Sequence, residues 1–402
     1  FNQYTWDLYK QTTIGIEMIK YFSDAGGYVL FKDYCPYANF IPEDLYNDWL
    51  ENIYCYGVSD YDHPSSLEEA KDLYISLITL GIRVEGQQWL PANDFKNMLG
   101  IIQPMSYVLS QFAPEYFFPY LFLCRIFELN KIADFFNIDL PNIPKRTDYK
   151  GRCMYYWELC EVFYLFRKEN GLSPADLWSF LYDFAPNNLP SEKIDMPKPS
   201  QVWFIGGRLY QEDKSLESKF WQSSPETKKG DILVHYETSP ISAITCIETS
   251  LTDGVIDPLF RYYGCIYIGN RINIPHITLK ELQTDEYFFK HPLVRKNFQG
   301  VNGWSVNSEN YSELLRMIKT KGFDIEVLPK LYAPTLPKDV IIEYEHDVEQ
   351  QLLEPLLNSM GWYENKDFIR QLPIQAGRGH RIFPDYALHY GNKPNEERAK
   401  VL

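Results

Sequence analysis

Two proline-rich seams constrain this chain more than any other feature. The first runs from Pro186-Asn187-Asn188-Leu189-Pro190 to Met196-Pro197-Lys198-Pro199-Ser200, and the second is Leu331-Tyr332-Ala333-Pro334-Thr335-Leu336-Pro337-Lys338. Proline removes a backbone donor and pushes the residue before it towards extended conformations, so neither a helix nor a central strand runs through such a stretch. The apolar spacing also changes at each seam, from helical to strand-like at the first and to one helix followed by short strands at the second. At 402 residues the chain is too long for one typical core. The expected fold class is therefore multidomain α+β, with a helical, aromatic-rich part at 1–195, a β-rich part at 200–330 and a further α/β part at 338–402.

The first part carries clear helix starts. Ser66 with Glu69 forms a capping-box pattern leading into Ala70, Leu73, Ile75, Leu77 and Ile78. Ser173-Pro174-Ala175-Asp176 opens a second helix with Leu177, Phe180, Leu181 and Phe184 at core spacing. Tyr155, Tyr156, Trp157, Phe163, Tyr164 and Phe166 crowd the segment before it. Such aromatics can stack on bases, but helical spacing favours core packing, and this part offers no chemistry.

A hydrophobic content of 45% and an aromatic content of 16% argue for packed domains over disorder. Seven cysteines without a Cys-x-x-Cys pair fit reduced thiols in a cytoplasm better than a disulfide framework or a zinc site. No stretch reads as a membrane span or a secretory leader. The chain starts at Phe1, so a few residues are expected before it. The formal net charge of -15 argues against a protein that coats nucleic acid indiscriminately. Acids dominate the first part, whereas Lys290 to Lys321 and Lys366 to Lys400 are locally basic. That pattern favours engagement of a specific nucleic-acid feature.

The middle part opens with Gln201-Val202-Trp203-Phe204-Ile205-Gly206-Gly207, and Gly230-Asp231-Ile232-Leu233-Val234-His235-Tyr236 is a turn into a second strand. Ala243-Ile244-Thr245-Cys246-Ile247-Glu248 and Cys265-Ile266-Tyr267-Ile268 supply two more. A closing helix carries Tyr311, Leu314, Leu315 and Ile318 on one face. The opening aromatic strand, Phe220-Trp221, the Gly-Asp turn and the stretch from His291-Pro292-Leu293 to Gly300-Val301-Asn302-Gly303 together resemble the EVE domain of the PUA-like superfamily, which is related to YTH domains. The resemblance implies a β-barrel that takes a modified base of DNA or RNA into an aromatic-lined pocket. Extruding a base and enclosing it between rings lets a reader measure a small added group by fit. On this resemblance Trp203, Trp221 and Tyr236 are the expected walls and Asn302 the polar contact, with Arg295 and Lys296 on the neighbouring phosphates. Core packing is the competing reading for each ring.

After the second seam, Glu345 to Leu357 reads as a helix, followed by Met360-Gly361-Trp362, a glycine-bearing loop and Phe383-Pro384-Asp385-Tyr386-Ala387-Leu388. This order resembles the N-terminal nuclease domain of type I restriction endonuclease R subunits, of the PD-(D/E)xK superfamily. The resemblance implies magnesium-dependent hydrolysis of a phosphodiester, with Asp385 as principal metal ligand, Glu349 as the helix carboxylate and Glu345, one turn earlier on the same face, as its substitute. The family carries a Glu-x-Lys pair on the next strand, and no such pair follows Asp385 in this sequence. Gly377-Arg378-Gly379-His380-Arg381 reads either as a hairpin turn or as a phosphate-contacting loop in which Arg378 and Arg381 grip the backbone.

Other chemistries lack their motifs. No His-Glu-x-x-His, Gly-Lys-Ser/Thr phosphate loop or Gly-x-Ser-x-Gly elbow is present. The two resemblances imply a cytoplasmic, modification-dependent restriction protein, a reader joined to a magnesium-dependent cutter of modified duplex DNA that pairs as a homodimer to cut both strands. A non-catalytic reader or adaptor for DNA or RNA is the second reading.

Overall fold

The structure is a computed structural model that describes residues 2–36, 38–190, 196–208, 218–332, 342–377, 380–388 and 400–401. It is a mixed helix and sheet protein of two compact units. One unit comprises residues 1–192 with 256–263, and the other 193–255 with 264–402. The expected 200–330 and 338–402 parts thus fall in one unit, while a short loop of the middle part belongs with the helices.

The helical unit buries its aromatic segment. The helix Tyr149–Glu169 places Tyr155, Tyr156, Trp157, Phe163 and Phe166 in the core. Tyr156 donates to the Phe118 carbonyl at 2.8 Å and Tyr74 to that of Cys153 at 2.7 Å, so these rings serve packing. Ser66 caps Leu67–Leu80 as expected, but the Glu69 carboxylate bonds to Ser65 instead of closing the box on Ser66. Tyr74, not Ile75, takes the buried position. Ser173 and Asp176 form a complete capping box. The hairpin of β1 (Ile82–Val84) and β2 (Gln87–Leu90) also lies in this unit. Its 256–263 loop is stitched in by Arg152, 1% exposed, whose guanidinium donates to the carbonyls of Pro258 at 2.8 Å and Phe260 at 2.7 Å.

The second unit is built on seven strands: β3 (Val202–Gly207), β4 (Ser218–Gln222), β5 (Ile232–Glu237), β6 (Ala243–Ser250), β7 (Val255–Ile256), β8 (Gly264–Thr278) and β9 (Trp304–Val306). They form a curled half-barrel in the order β4-β8-β6-β5-β3-β9, with β7 on β8. Only β3 and β5 pair in parallel among these neighbours. Val202 to Ile205 is buried on both faces, which explains its continuous apolar run. Val202 and Phe204 face the larger core, together with Tyr236, Ile244, Ile247 and the helix Ser308–Thr320. Trp203 and Ile205 face a smaller cluster with Leu233, Ile266 and Ile268. In the closing helix Met317 is buried along with Tyr311, Leu314 and Ile318, and Leu315 is only partly covered.

The C-terminal stretch of this unit has a helical run from Glu345 to Ser359, interrupted by a wider turn over Glu349–Leu353. Strands β10 (Phe368–Arg370), β13 (Tyr386–Leu388) and β14 (Lys400–Val401) form an antiparallel sheet, and β11 (Ile374–Gly377) and β12 (His380–Ile382) form a hairpin. Leu357, Trp362, Phe368 and Tyr386 make its core. A buried ion pair between Lys228 and Asp367 fastens it to the turn before β5, and Lys228 also lies 5.4 Å from the Trp362 ring centre.

Candidate functional site: the inner face of the half-barrel

The smaller cluster marks the inside of the curl. Strands β4 and β3 are four steps apart in the sheet, yet Trp221 of β4 reaches across to both β3 and β5. A Cβ added at Gly207 would stand 2.5 Å from Trp221 Cζ2, so this residue is glycine because the indole occupies the space. The Trp221 ring lies 4.8 Å from the His235 ring at 63°. Its Nε1 donates to Asn302 Oδ1 at 3.2 Å. Asn302 also accepts from the Gly206 amide at 2.8 Å and donates to the Gly206 carbonyl at 3.0 Å.

Below the indole is a chain of charged and polar groups. His235 Nδ1 is 2.9 Å from Glu248 Oε2, and Arg271 Nε donates to Glu248 Oε1 at 2.8 Å. His235 and Glu248 are 0% and 2% exposed. Burial pushes the Glu248 carboxyl up, but the hydrogen bonds of His235 and Arg271, with the charge of Arg271, outweigh it and hold the group below its ordinary value. His235 Nε2, the other ring nitrogen, is buried without a hydrogen-bond partner among the described residues.

A bulge puts these groups on one face. Pairing slips between His235/Tyr236 and between Ile244/Cys246, leaving Thr245 as the extra residue. Ile244 and Ile247 therefore both face the larger core, and Cys246 and Glu248 face inward with His235. Simple alternation groups Cys246 with Glu248 as observed but adds Ile244 to them, which the bulge sends to the larger core. The available signal was a histidine and a glutamate inside two otherwise apolar strands.

Trp203 is buried at 3% exposure and donates its Nε1 to Asp231 Oδ2 at 2.8 Å. Asp231 also accepts from the amides of Gln201 and Lys228 at 3.2 and 2.8 Å, and burial pushes its carboxyl up to about 7 against those donors. Trp203 is thus a fixed floor of the inner face, and Trp221 is its half-buried aromatic. Tyr236 is not brought to this face. It stacks on Phe298 at 4.0 Å and 2° in the larger core, because its strand position is one residue out of phase with His235. Arg295 and Lys296 are exposed at the end of the short helix Pro292–Arg295, on the same connection that carries Asn302.

The C-terminal candidates are arranged more loosely. Asp385 is exposed and its Oδ1 accepts from Gln371 at 2.9 Å. Glu345 is exposed and Glu349 half-buried on the helical run. Glu349 acts electrostatically on Tyr386, the residue after Asp385. Asp385 and Glu349 are oxygen donors of the kind Mg2+ takes. Arg381 is exposed on β12, and Arg378 lies outside the described residues.

Among the described residues, one group could hold a metal through three donors: His235, Cys246 and Glu248, with ligand atoms within 4.8 Å of one another. A nitrogen, sulfur and oxygen set suits a transition metal and not Mg2+. Burial, however, pushes the Cys246 thiol up to about 12, and Arg271 already neutralises Glu248. The arrangement is better satisfied as a hydrogen-bonded network.

No family model matches the chain, and no curated protein matches it. Among solved structures it is similar to the NMR structure of Rpa0253 from Rhodopseudomonas palustris, with 13% identity and a TM-score of 0.27, over 30% of this chain and 94% of that one. It is also similar to a hypothetical protein from Leishmania major, with 11% identity and a TM-score of 0.25, over 31% of this chain and 98% of that one. No helix among the described residues is long and apolar enough to cross a membrane.

Proposed function

We propose that the chain reads a modified base in nucleic acid with the inner face of its half-barrel, as an EVE-like, PUA-like domain, and that its C-terminal stretch is the nucleolytic part of a modification-dependent restriction protein. The observation that carries the reading is the inner face itself. A half-buried indole lies over a buried imidazole that keeps one nitrogen without a partner among the described residues, and buried polar atoms are normally bonded. A flat ring with polar edges would satisfy both groups. Arg295 and Lys296 would hold the flanking phosphates, and duplex DNA is the expected substrate.

In the C-terminal stretch Asp385 and Glu349 would hold Mg2+, with Glu345 as the substitute ligand; the metal would supply charge neutralisation at the scissile phosphate and an activated water. A paired assembly of two chains would cut both strands. The second reading is a non-catalytic reader or adaptor. Its support is that neither Asp385 nor Glu349 belongs to a group of three possible ligands among the described residues. The test is binding and cleavage of duplexes carrying cytosine, 5-methylcytosine or 5-hydroxymethylcytosine, with Mg2+. Selective cleavage that Asp385→Ala abolishes while binding persists supports the restriction reading. Selective binding without cleavage supports the adaptor, and equal binding of all three removes the reader role.

A further inference from the structure

The inner face has a hydrogen-bonding sense as well as a shape. Glu248 lies between Arg271 and His235, accepting from the guanidinium through Oε1 and facing His235 Nδ1 through Oε2. A carboxylate placed against one imidazole nitrogen fixes the proton there, which leaves the opposite nitrogen as an acceptor. That opposite nitrogen is Nε2, buried and without a partner among the described residues. The other groups against this imidazole are the Trp221 ring from β4 and the Cys246 side chain from β6, whose thiol is protonated. Trp221 is itself a flat ring with an N–H at its edge, and Asn302 holds that N–H at the longer distance of 3.2 Å.

We infer that His235 is the specificity-determining residue of the inner face, that its Nε2 accepts a hydrogen bond from the guest, and that the guest is a planar ring presenting an exocyclic amino group, admitted when Trp221 swings off the imidazole. The inference rests on the base-reading function proposed above and assigns it a residue and a chemical sense. An amino-bearing base such as cytosine meets the requirement at its exocyclic nitrogen, whereas thymine presents a carbonyl oxygen at the same place. His235 in this role touches the guest, and Glu248 and Arg271 are positioning residues acting through it.

Two measurements on the full chain test it. The first is the 15N spectrum of the protein labelled at histidine, with the His235 signals assigned by their loss in His235→Gln. A protonated Nδ1 and an Nε2 bearing a lone pair are expected, and a protonated Nε2, whether in the neutral ring or in the imidazolium, overturns the acceptor. The second is titration with two duplexes identical except for one base pair, 5-methylcytosine with guanine or thymine with adenine. These bases match in size and in their methyl group and differ in the edge they present. Binding about tenfold or more tighter for 5-methylcytosine is expected, with the ratio falling towards one in His235→Gln, whose amide can both donate and accept. Equal binding of the two by the native protein overturns the inference and leaves base reading standing. Binding of neither overturns the proposed function and the assigned guest together, and the imidazole spectrum then still decides whether Nε2 is an acceptor.

Discussion

Asn302 and Gly206 are bonded twice, the Asn302 oxygen accepting from the Gly206 amide at 2.8 Å and its nitrogen donating to the Gly206 carbonyl at 3.0 Å. The same oxygen accepts from the Trp221 indole. One side chain thereby ties the end of β3, the indole of β4 and the loop before β9. Asn302→Ala removes all three bonds and leaves their partners behind. A loss of about 2 kcal/mol is expected, read from urea unfolding, together with a change in the tryptophan emission as the indole is released. Unchanged emission would mean that Asn302 does not hold Trp221.

Gly207 is the matching constraint from the other side. In Gly207→Ala the new methyl group would stand within the indole's volume, so either Trp221 turns out or the strand shifts. A cost of about 1–3 kcal/mol is expected. Heteronuclear spectra of the indole N–H groups check it, with the Trp221 signal moving most.

The Glu248 carboxyl lies below its ordinary value of 4.5 in the folded chain, because the bonds from His235 and Arg271 overcome burial. A carboxyl lowered on folding adds stability that is complete above the unfolded value and disappears as the pH falls through the folded one. The native protein is therefore expected to lose unfolding free energy from about pH 4.5 downwards more steeply than Glu248→Gln. Parallel slopes in acid denaturation of the two proteins would contradict this.

Lys228 and Asp367 are 7% and 3% exposed and paired, and burial pulls the ammonium group below the usual lysine range. Lys228→Met leaves Asp367 buried and keeps only its bond from the Tyr363 amide at 3.0 Å. A loss of about 3–5 kcal/mol is expected. The double substitution Lys228→Met with Asp367→Leu is expected to recover most of it, since a well-packed apolar pair avoids the desolvation cost. If the double variant is no better than the single, the pair is not what fastens this stretch.

Much of the fold was legible because local signals and packing agreed. Ser173 and Asp176 cap a helix whose apolar residues are buried, and Tyr311, Leu314 and Ile318 fall on the face that meets the sheet. Ile75 was misplaced by one position, since several residues fit a helical stripe and only the neighbouring elements select among them. The site was half legible. Trp203, Trp221 and Asn302 do meet around the inner face, but strand phase sends Tyr236 to the opposite side. The groups with the most chemistry, His235 and Glu248, each follow the alternation of their own strand, but the pairing of β5 with β6 that brings them together is not written in either strand alone.

The loop at 256–263 gives the helical unit an order of events. Arg152 and the Cys124 amide find their buried partners in Pro258, Phe260 and Asp257, which leave the ribosome only after the whole stretch 193–255. At about 5–20 residues per second this is a wait of roughly 3–13 s. Until then Arg152 has the Arg146 carbonyl and the Tyr149 ring beside it but lacks the two loop carbonyls that bury it. The helices come first along the chain, but their core is finished by residues encoded in the middle of the sheet.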